Sequence, residues 1–176
     1  MMTKALSLAI MAAMLSAVGA STADAHVFGA AGAGVIEGFV HPFIGLDHLL
    51  AMIAAGLWAS QIGGRAAPLV LVIFPGTMII GAALAIFGAP FPGVELAVAS
   101  SVAALGALIA GGVRPPLLPS CGLIALFALA HGYAHGAELP ETASPIAYGG
   151  GFIVATLTLH LVGIWLGSRM RDRRSR

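Results

Sequence analysis

The chain has 176 residues, of which 59% are hydrophobic and 9% are charged, with a formal net charge of +1 and a mean hydropathy of +1.01. A soluble domain carries roughly a quarter charged residues, so water cannot be the solvent for most of this surface, and a membrane protein is predicted. The single cysteine excludes an internal disulfide and a cysteine-rich metal site, and the lack of any Gly-Lys pair excludes a phosphate-binding P-loop.

Residues 1–25 have the pattern of a cleavable signal peptide. Lys4 supplies the positive charge, an apolar run extends to Ala20, and Ala23-Asp24-Ala25 forms a small-x-small cleavage site. Cleavage there would make His26 the first residue of the mature chain, where its amine and imidazole could chelate one metal ion. Cleavage after Ala20 and an uncleaved first helix are the alternatives.

Four apolar segments follow, each close to the roughly 20 residues that span a bilayer. They cover residues 68–87, 94–111, 117–135 and 144–167. The preceding stretch, 28–60, is also apolar but contains ionisable residues, and we expect a broken or re-entrant segment interrupted between Pro42 and Gly45. The sequence therefore predicts an all-α, polytopic bundle of five to six membrane segments. This transmembrane domain covers residues 26–168, and a basic tail covers 169–176.

The charges of the loops predict the orientation. Arg65, Arg114 and the tail are basic, whereas the loops between them carry only acidic residues, and basic loops face the cytoplasm. A bacterial inner-membrane protein with a cytoplasmic C-terminus is predicted. Five crossings fit a mature N-terminus outside, and two full helices before Ser60 are the alternative. A short basic tail after an apolar helix is more typical of an anchor than of nucleic-acid binding, so no nucleic-acid partner is expected.

Ionisable residues inside the apolar region form two clusters. The first contains Glu37, His41, Asp47 and His48, and the second contains His131, His135 and Glu138. An ionised Asp at the centre of a membrane helix costs about 2.5–3.5 kcal/mol even on the milder insertion scale. Neither cluster includes a Lys or Arg, so a bound cation is the expected compensation.

The spacing within the clusters favours metal binding. His131 and His135 are four residues apart, which places both imidazoles on one helix face, and Glu138 continues that face if the helix persists. Glu37 and His41 share the same spacing. Imidazole with carboxylate and no thiolate suits Ni, Co, Zn, Cu(II) or Fe(II). Hydrogen bonding between helices is the alternative for a membrane histidine, and His160 is expected to support the site more than to ligate.

The two clusters resemble the signature motifs of the HupE/UreJ family. The resemblance rests on His41-x5-Asp47-His48 and on the run from His131 through Gly132, His135 and Glu138, and it extends from residue 26 to residue 167. Ala130 departs from the family, which usually has Phe there. The resemblance implies a nickel or cobalt permease associated with hydrogenase and urease maturation proteins. It implies no enzymatic activity and no permanently bound cofactor, since the metal is the transported ion.

The candidate metal residues follow from both lines of reasoning. Those implied by the resemblance are His41, Asp47, His48, His131, His135 and Glu138, and the weaker candidates are His26, Glu37 and His160. Two other functions stay open, an intramembrane zinc hydrolase and a protein that holds metal without transporting it. The H-E-x-x-H pattern of a zinc protease is absent from the second cluster. Gly34 and Gly38 predict close helix packing, either within the chain or in a homo-oligomer.

Overall fold

The computed structural model describes residues 34–139 and 144–172, and within them the chain forms six α-helices and no strand. The helices are α1 (Val35–Ile44), α2 (Leu46–Ile62), α3 (Ala66–Ile86), α4 (Val94–Ala110), α5 (Leu117–Ala137) and α6 (Pro145–Asp172). The predicted all-α class is confirmed for this part of the chain. The predicted signal peptide, His26 and the last four residues of the basic tail lie outside the described residues.

The first apolar segment is broken, as predicted, and the break falls at Gly45. Helices α1 and α2 meet there at 85°, and Gly45 has extended backbone angles (φ −73°, ψ 109°) between them. Pro42 remains inside α1 and is buried, although it cannot donate a hydrogen bond to the carbonyl of Gly38. The bend brings the end of α1 against the start of α2, so that the rings of His41 and His48 lie 6.2 Å apart between centroids.

The longer helices are suited to a lipid environment. Helices α3, α5 and α6 are long and apolar enough to cross a membrane, and the bent pair α1–α2 also passes that test when taken together. Helix α4 is also apolar, but its 17 residues are fewer than the roughly 20 that span a bilayer. Large side chains such as Leu118 and Ile146 are exposed on the outer surface (83% and 89%), where lipid can solvate them. The protein is therefore a helical membrane protein.

Small residues allow the helices to pack closely. A Cβ placed on Gly132 of α5 would lie 2.6 Å from the carbonyl carbon of Met78 on α3, and one placed on Gly38 of α1 would collide with the backbone of Tyr148 on α6. Such contacts are possible only where a side chain is missing, which is how small residues promote helix association in membranes. Gly38 of the predicted glycine pair thus serves packing within the chain.

The two ends of the bundle differ in charge. At one end, Trp58 Nε1–H donates to the carbonyl of Val113 (2.9 Å), and Arg171 donates to the carbonyl of Ser60 (3.2 Å). These bonds bring the end of α2, the α4–α5 loop and the end of α6 together, and we call this the basic end because Arg65, Arg114, Arg169 and Arg171 lie in or next to these segments. At the opposite end, Tyr133 donates to the carbonyl of Ala89 (2.7 Å). We call this the acidic end, because Glu95 at the start of α4 and Glu138 directly after α5 lie there.

Candidate metal centre

Residues from both sequence clusters meet near the acidic end of the bundle. His41 lies in the last turn of α1, His48 in the first turn of α2 and His135 in the last turn of α5. One ring nitrogen from each of these three residues, which we call the histidine triad, lies within 4.8 Å of the others. The bend at Gly45 and the packing of α5 together bring imidazoles that are far apart in sequence to one point.

The two ring nitrogens of His135 lack hydrogen-bond partners among the described residues, and a metal ion could bind one of them. Both nitrogens are buried. The ring is enclosed by His48 and Phe152, each 4.1 Å away between centroids. A buried polar atom without a partner costs about 1–3 kcal/mol, and native proteins rarely leave one in that state. Coordination of a cation by His135 would remove part of this cost, so the residues present fit a metal ion.

His131 lies one turn before His135 on α5 and has a different set of partners. It is completely buried. Its Nδ1 lies 3.0 Å from Nδ1 of His48, and its Nε2 lies 2.8 Å from the hydroxyl of Ser101 on α4. Of the two predicted histidines of α5, His135 belongs to the triad. His131 lies outside the triad and contacts it through a hydrogen bond with His48.

Asp47 places a carboxylate next to the triad. Its Oδ1 accepts a hydrogen bond from the backbone N–H of His48 (2.9 Å) and lies 3.8 Å from Nε2 of the same residue. The side chain is 27% exposed. It sits in the first turn of α2, where the helix dipole also stabilises a negative charge. Asp47 can thus contribute negative charge to the site at a low cost of desolvation.

The other predicted residues lie outside the triad. Glu138 directly follows the last residue of α5 and is exposed. Glu37 lies in the first turn of α1, where its carboxylate accepts the backbone N–H of Gly34 (2.7 Å) and so caps the helix. His160 is buried in the middle of α6, where its Nδ1–H donates to the carbonyl of Thr156 (2.7 Å). The Nε2 of His160 has no partner in the described part of the chain.

Sequence reasoning missed Ser101 as a member of the site. Two serines, Ser100 and Ser101, stand side by side in an otherwise apolar helix. The structure buries Ser101 against His131 and exposes Ser100. A polar pair within an apolar helix is the signal that could have drawn attention to this position. It could not have told which of the two serines faces the histidines.

The fold and the site define a class of protein: a helical membrane protein with a histidine centre built between its helices. The model of the HupE / UreJ protein family matches residues 11–176. Protein HupE of Rhizobium leguminosarum bv. viciae is 45% identical over 148 residues, which is 84% of this chain and 77% of that protein. No solved structure matches the chain.

The chain therefore belongs to the HupE/UreJ family, and the resemblance noted in its two motifs is confirmed. Members of the family are accessory, permease-like proteins and are not enzymes.

Proposed function

We propose that the protein is an inner-membrane permease for a divalent transition-metal ion, with Ni²⁺ as the first candidate and Co²⁺ as the second. The observation that carries this proposal is the histidine triad, in which three imidazole nitrogens from three helices lie within 4.8 Å of one another. Family membership supports the same function. The expected recipients of the metal are hydrogenase or urease maturation proteins.

The chemistry of the triad favours a borderline divalent cation. Imidazole is a preferred ligand of Ni, Cu and Zn, whereas Mg and Ca prefer oxygen. The arginines of the described part (Arg65, Arg114, Arg169 and Arg171) belong to the segments that meet at the basic end. They therefore do not compete with a cation at the triad. Asp47 supplies the nearby negative charge.

Transport also requires that the ion be released. Three imidazoles leave at least one coordination position of a metal to water, because even tetrahedral sites take four ligands. Incomplete coordination keeps the binding weak enough for the ion to leave, as conduction demands. We expect His41, His48 and His135, with Asp47 beside them, to act together as this temporary site.

The charges at the two ends of the bundle are consistent with inward movement of a divalent cation. If the basic end faces the cytoplasm, the triad lies close to the outer surface, where His41 and Asp47 are partly exposed. A divalent ion that crosses from there gains about 4.6 kcal/mol per 100 mV of inside-negative potential, twice the value for a single charge. The membrane potential can therefore drive the uptake without a nucleotide.

Uptake of radioactive nickel by cells, and by sealed vesicles that contain the purified protein, tests the proposal. His48→Ala and His135→Ala should each lower uptake by about tenfold or more, at unchanged protein levels in the membrane. The double variant should be little worse than either single one, because residues that act as a unit are not additive. Asp47→Asn removes the charge while it keeps the shape, and it should also lower uptake.

Two outcomes would contradict the proposal. Uptake that survives these substitutions would assign the histidines to hydrogen bonding between helices. Metal binding without flux into sealed vesicles would favour a protein that holds the metal and does not transport it.

A further inference from the structure

A chain of hydrogen bonds leads from the backbone of α4 to the histidine triad. The hydroxyl of Ser101 lies 2.7 Å from the carbonyl oxygen of Val98 and 2.8 Å from Nε2 of His131. The other nitrogen of His131, Nδ1, lies 3.0 Å from Nδ1 of His48. Ser101 and His131 are 1% and 0% exposed, so water does not compete for these bonds.

The donor and acceptor of every hydrogen bond in this series follow from the first bond, between Ser101 and the carbonyl oxygen of Val98. A carbonyl oxygen only accepts, so the single hydroxyl proton of Ser101 is donated to Val98. The Ser101 oxygen must then accept from His131, which places the ring proton of His131 on Nε2. A neutral imidazole carries one N–H, and the charged form is disfavoured at a site with no exposure. Nδ1 of His131 is therefore an acceptor.

The same reasoning determines which ring nitrogen of His48 carries the proton. Because Nδ1 of His131 accepts, Nδ1 of His48 must carry the proton and donate it. The remaining nitrogen of His48, Nε2, then holds a free lone pair. This atom lies 3.8 Å from the carboxylate of Asp47. Only an unprotonated nitrogen can bind a metal.

We propose that Ser101 is a positioning residue that acts through His131 to hold His48 in the tautomer whose Nε2 is free to bind the cation. The inference rests on the proposed function for the identity of the cation. The hydrogen bond made by the nitrogen that does not bind the metal generally sets the tautomer of a histidine ligand. Here that partner is another histidine. We call the chain of hydrogen bonds from Ser101 through His131 to His48 the relay, and Ser101 fixes the direction of its bonds.

Alanine at position 101 breaks the relay without touching the triad. His131 would lose the acceptor for its Nε2 proton, so the proton could move to Nδ1. His48 would then become the acceptor at Nδ1 and carry its own proton on Nε2, directed at the cation. Substitution of groups that orient metal ligands typically lowers metal affinity by about 10–100-fold, and we expect a loss in that range.

The ring nitrogens can be observed directly by NMR of the metal-free full chain, labelled with ¹⁵N-histidine and held in nanodiscs. Protonated and unprotonated ring nitrogens differ widely in ¹⁵N chemical shift. In the wild-type protein we expect His48 protonated at Nδ1 and His131 protonated at Nε2. Ser101→Ala should shift His48 toward the form protonated at Nε2. Ser101→Thr, which keeps the hydroxyl, and Ser100→Ala, which alters the exposed neighbour, should retain the wild-type pattern.

Equilibrium binding of Ni²⁺ to the same four proteins provides the second measurement. Ser101→Ala should bind about 10–100-fold more weakly than the wild-type protein, and the Thr variant should restore most of the affinity. Wild-type His48 protonated at Nε2, or unchanged tautomers in Ser101→Ala, would overturn the inference. If the tautomers are as expected but the wild-type protein neither binds nor moves nickel, the relay stands and the proposed function fails.

Discussion

Gly132 lies where α5 meets α3, directly after His131, and its replacement by alanine tests whether close helix packing sets the geometry of the metal centre. The added Cβ would lie 2.6 Å from the carbonyl carbon of Met78 and 2.7 Å from its Cα, whereas ordinary contact begins at 3.4 Å. The two helices must separate by something on the order of 1 Å to relieve this overlap, and overpacking of this kind costs about 1–3 kcal/mol.

The separation would move His135 away from its partners on α1 and α2. Metal–ligand distances tolerate changes of only about 0.2 Å, so a shift on the order of 1 Å weakens coordination. If about 1.4 kcal/mol of the strain appears in binding, the affinity for Ni²⁺ falls about tenfold. We expect Gly132→Ala to show this loss together with a lower midpoint of thermal unfolding.

The same helix provides a matched control. A Cβ on Gly122 would meet nothing within 4 Å, so Gly122→Ala should bind Ni²⁺ and unfold like the wild-type protein. Binding would be measured by equilibrium dialysis of purified protein in detergent, and stability by thermal unfolding of the same samples. An affinity for Gly132→Ala within about twofold of that of Gly122→Ala would refute the idea that the spacing of α3 and α5 sets the site.

Two further predictions concern topology and the inner part of the bundle. A reporter fused after Arg176 should be active only in its cytoplasmic form, because the basic loops lie at one end; periplasmic activity would favour two full helices before Ser60. His160→Phe should slow nickel uptake into vesicles while the equilibrium affinity stays unchanged, because the unpartnered Nε2 of His160 lies beyond Phe74, deeper than the triad. If the affinity for nickel falls by as much as the rate of uptake, His160 supports the triad itself.

The sequence by itself determined the membrane class and the bounds of α3, α4 and α5 to within two residues, whereas α6 continues five residues beyond the predicted end, to Asp172. The predicted segment 68–87 is α3 at Ala66–Ile86, and 94–111 is α4 at Val94–Ala110. These boundaries are local properties, since runs of apolar residues end where Gly, Pro and charged residues gather. The break between α1 and α2 was visible for the same reason, although the helix continues through Pro42 and turns only at Gly45.

The sequence also singled out the histidines of the centre, but it did not show which of them contact one another. Spacing predicted that His131 and His135 share a face, and both are buried on α5. The extension of that face to Glu138 required a longer helix, whereas α5 ends at Ala137. A helix boundary that depends on one or two residues is the least secure part of any periodicity argument.

Only the tertiary structure decided which imidazoles form the triad and which one supports it. His131 and His135 belong to the same motif, yet His131 contacts Ser101 and His48, whereas His135 packs against both His41 and His48. The difference arises from the 85° bend at Gly45 and from the close contact of α3 with α5. The contact between α3 and α5 joins segments far apart in the chain, and a helix that is apolar on all sides carries no pattern that records which neighbour each face will meet.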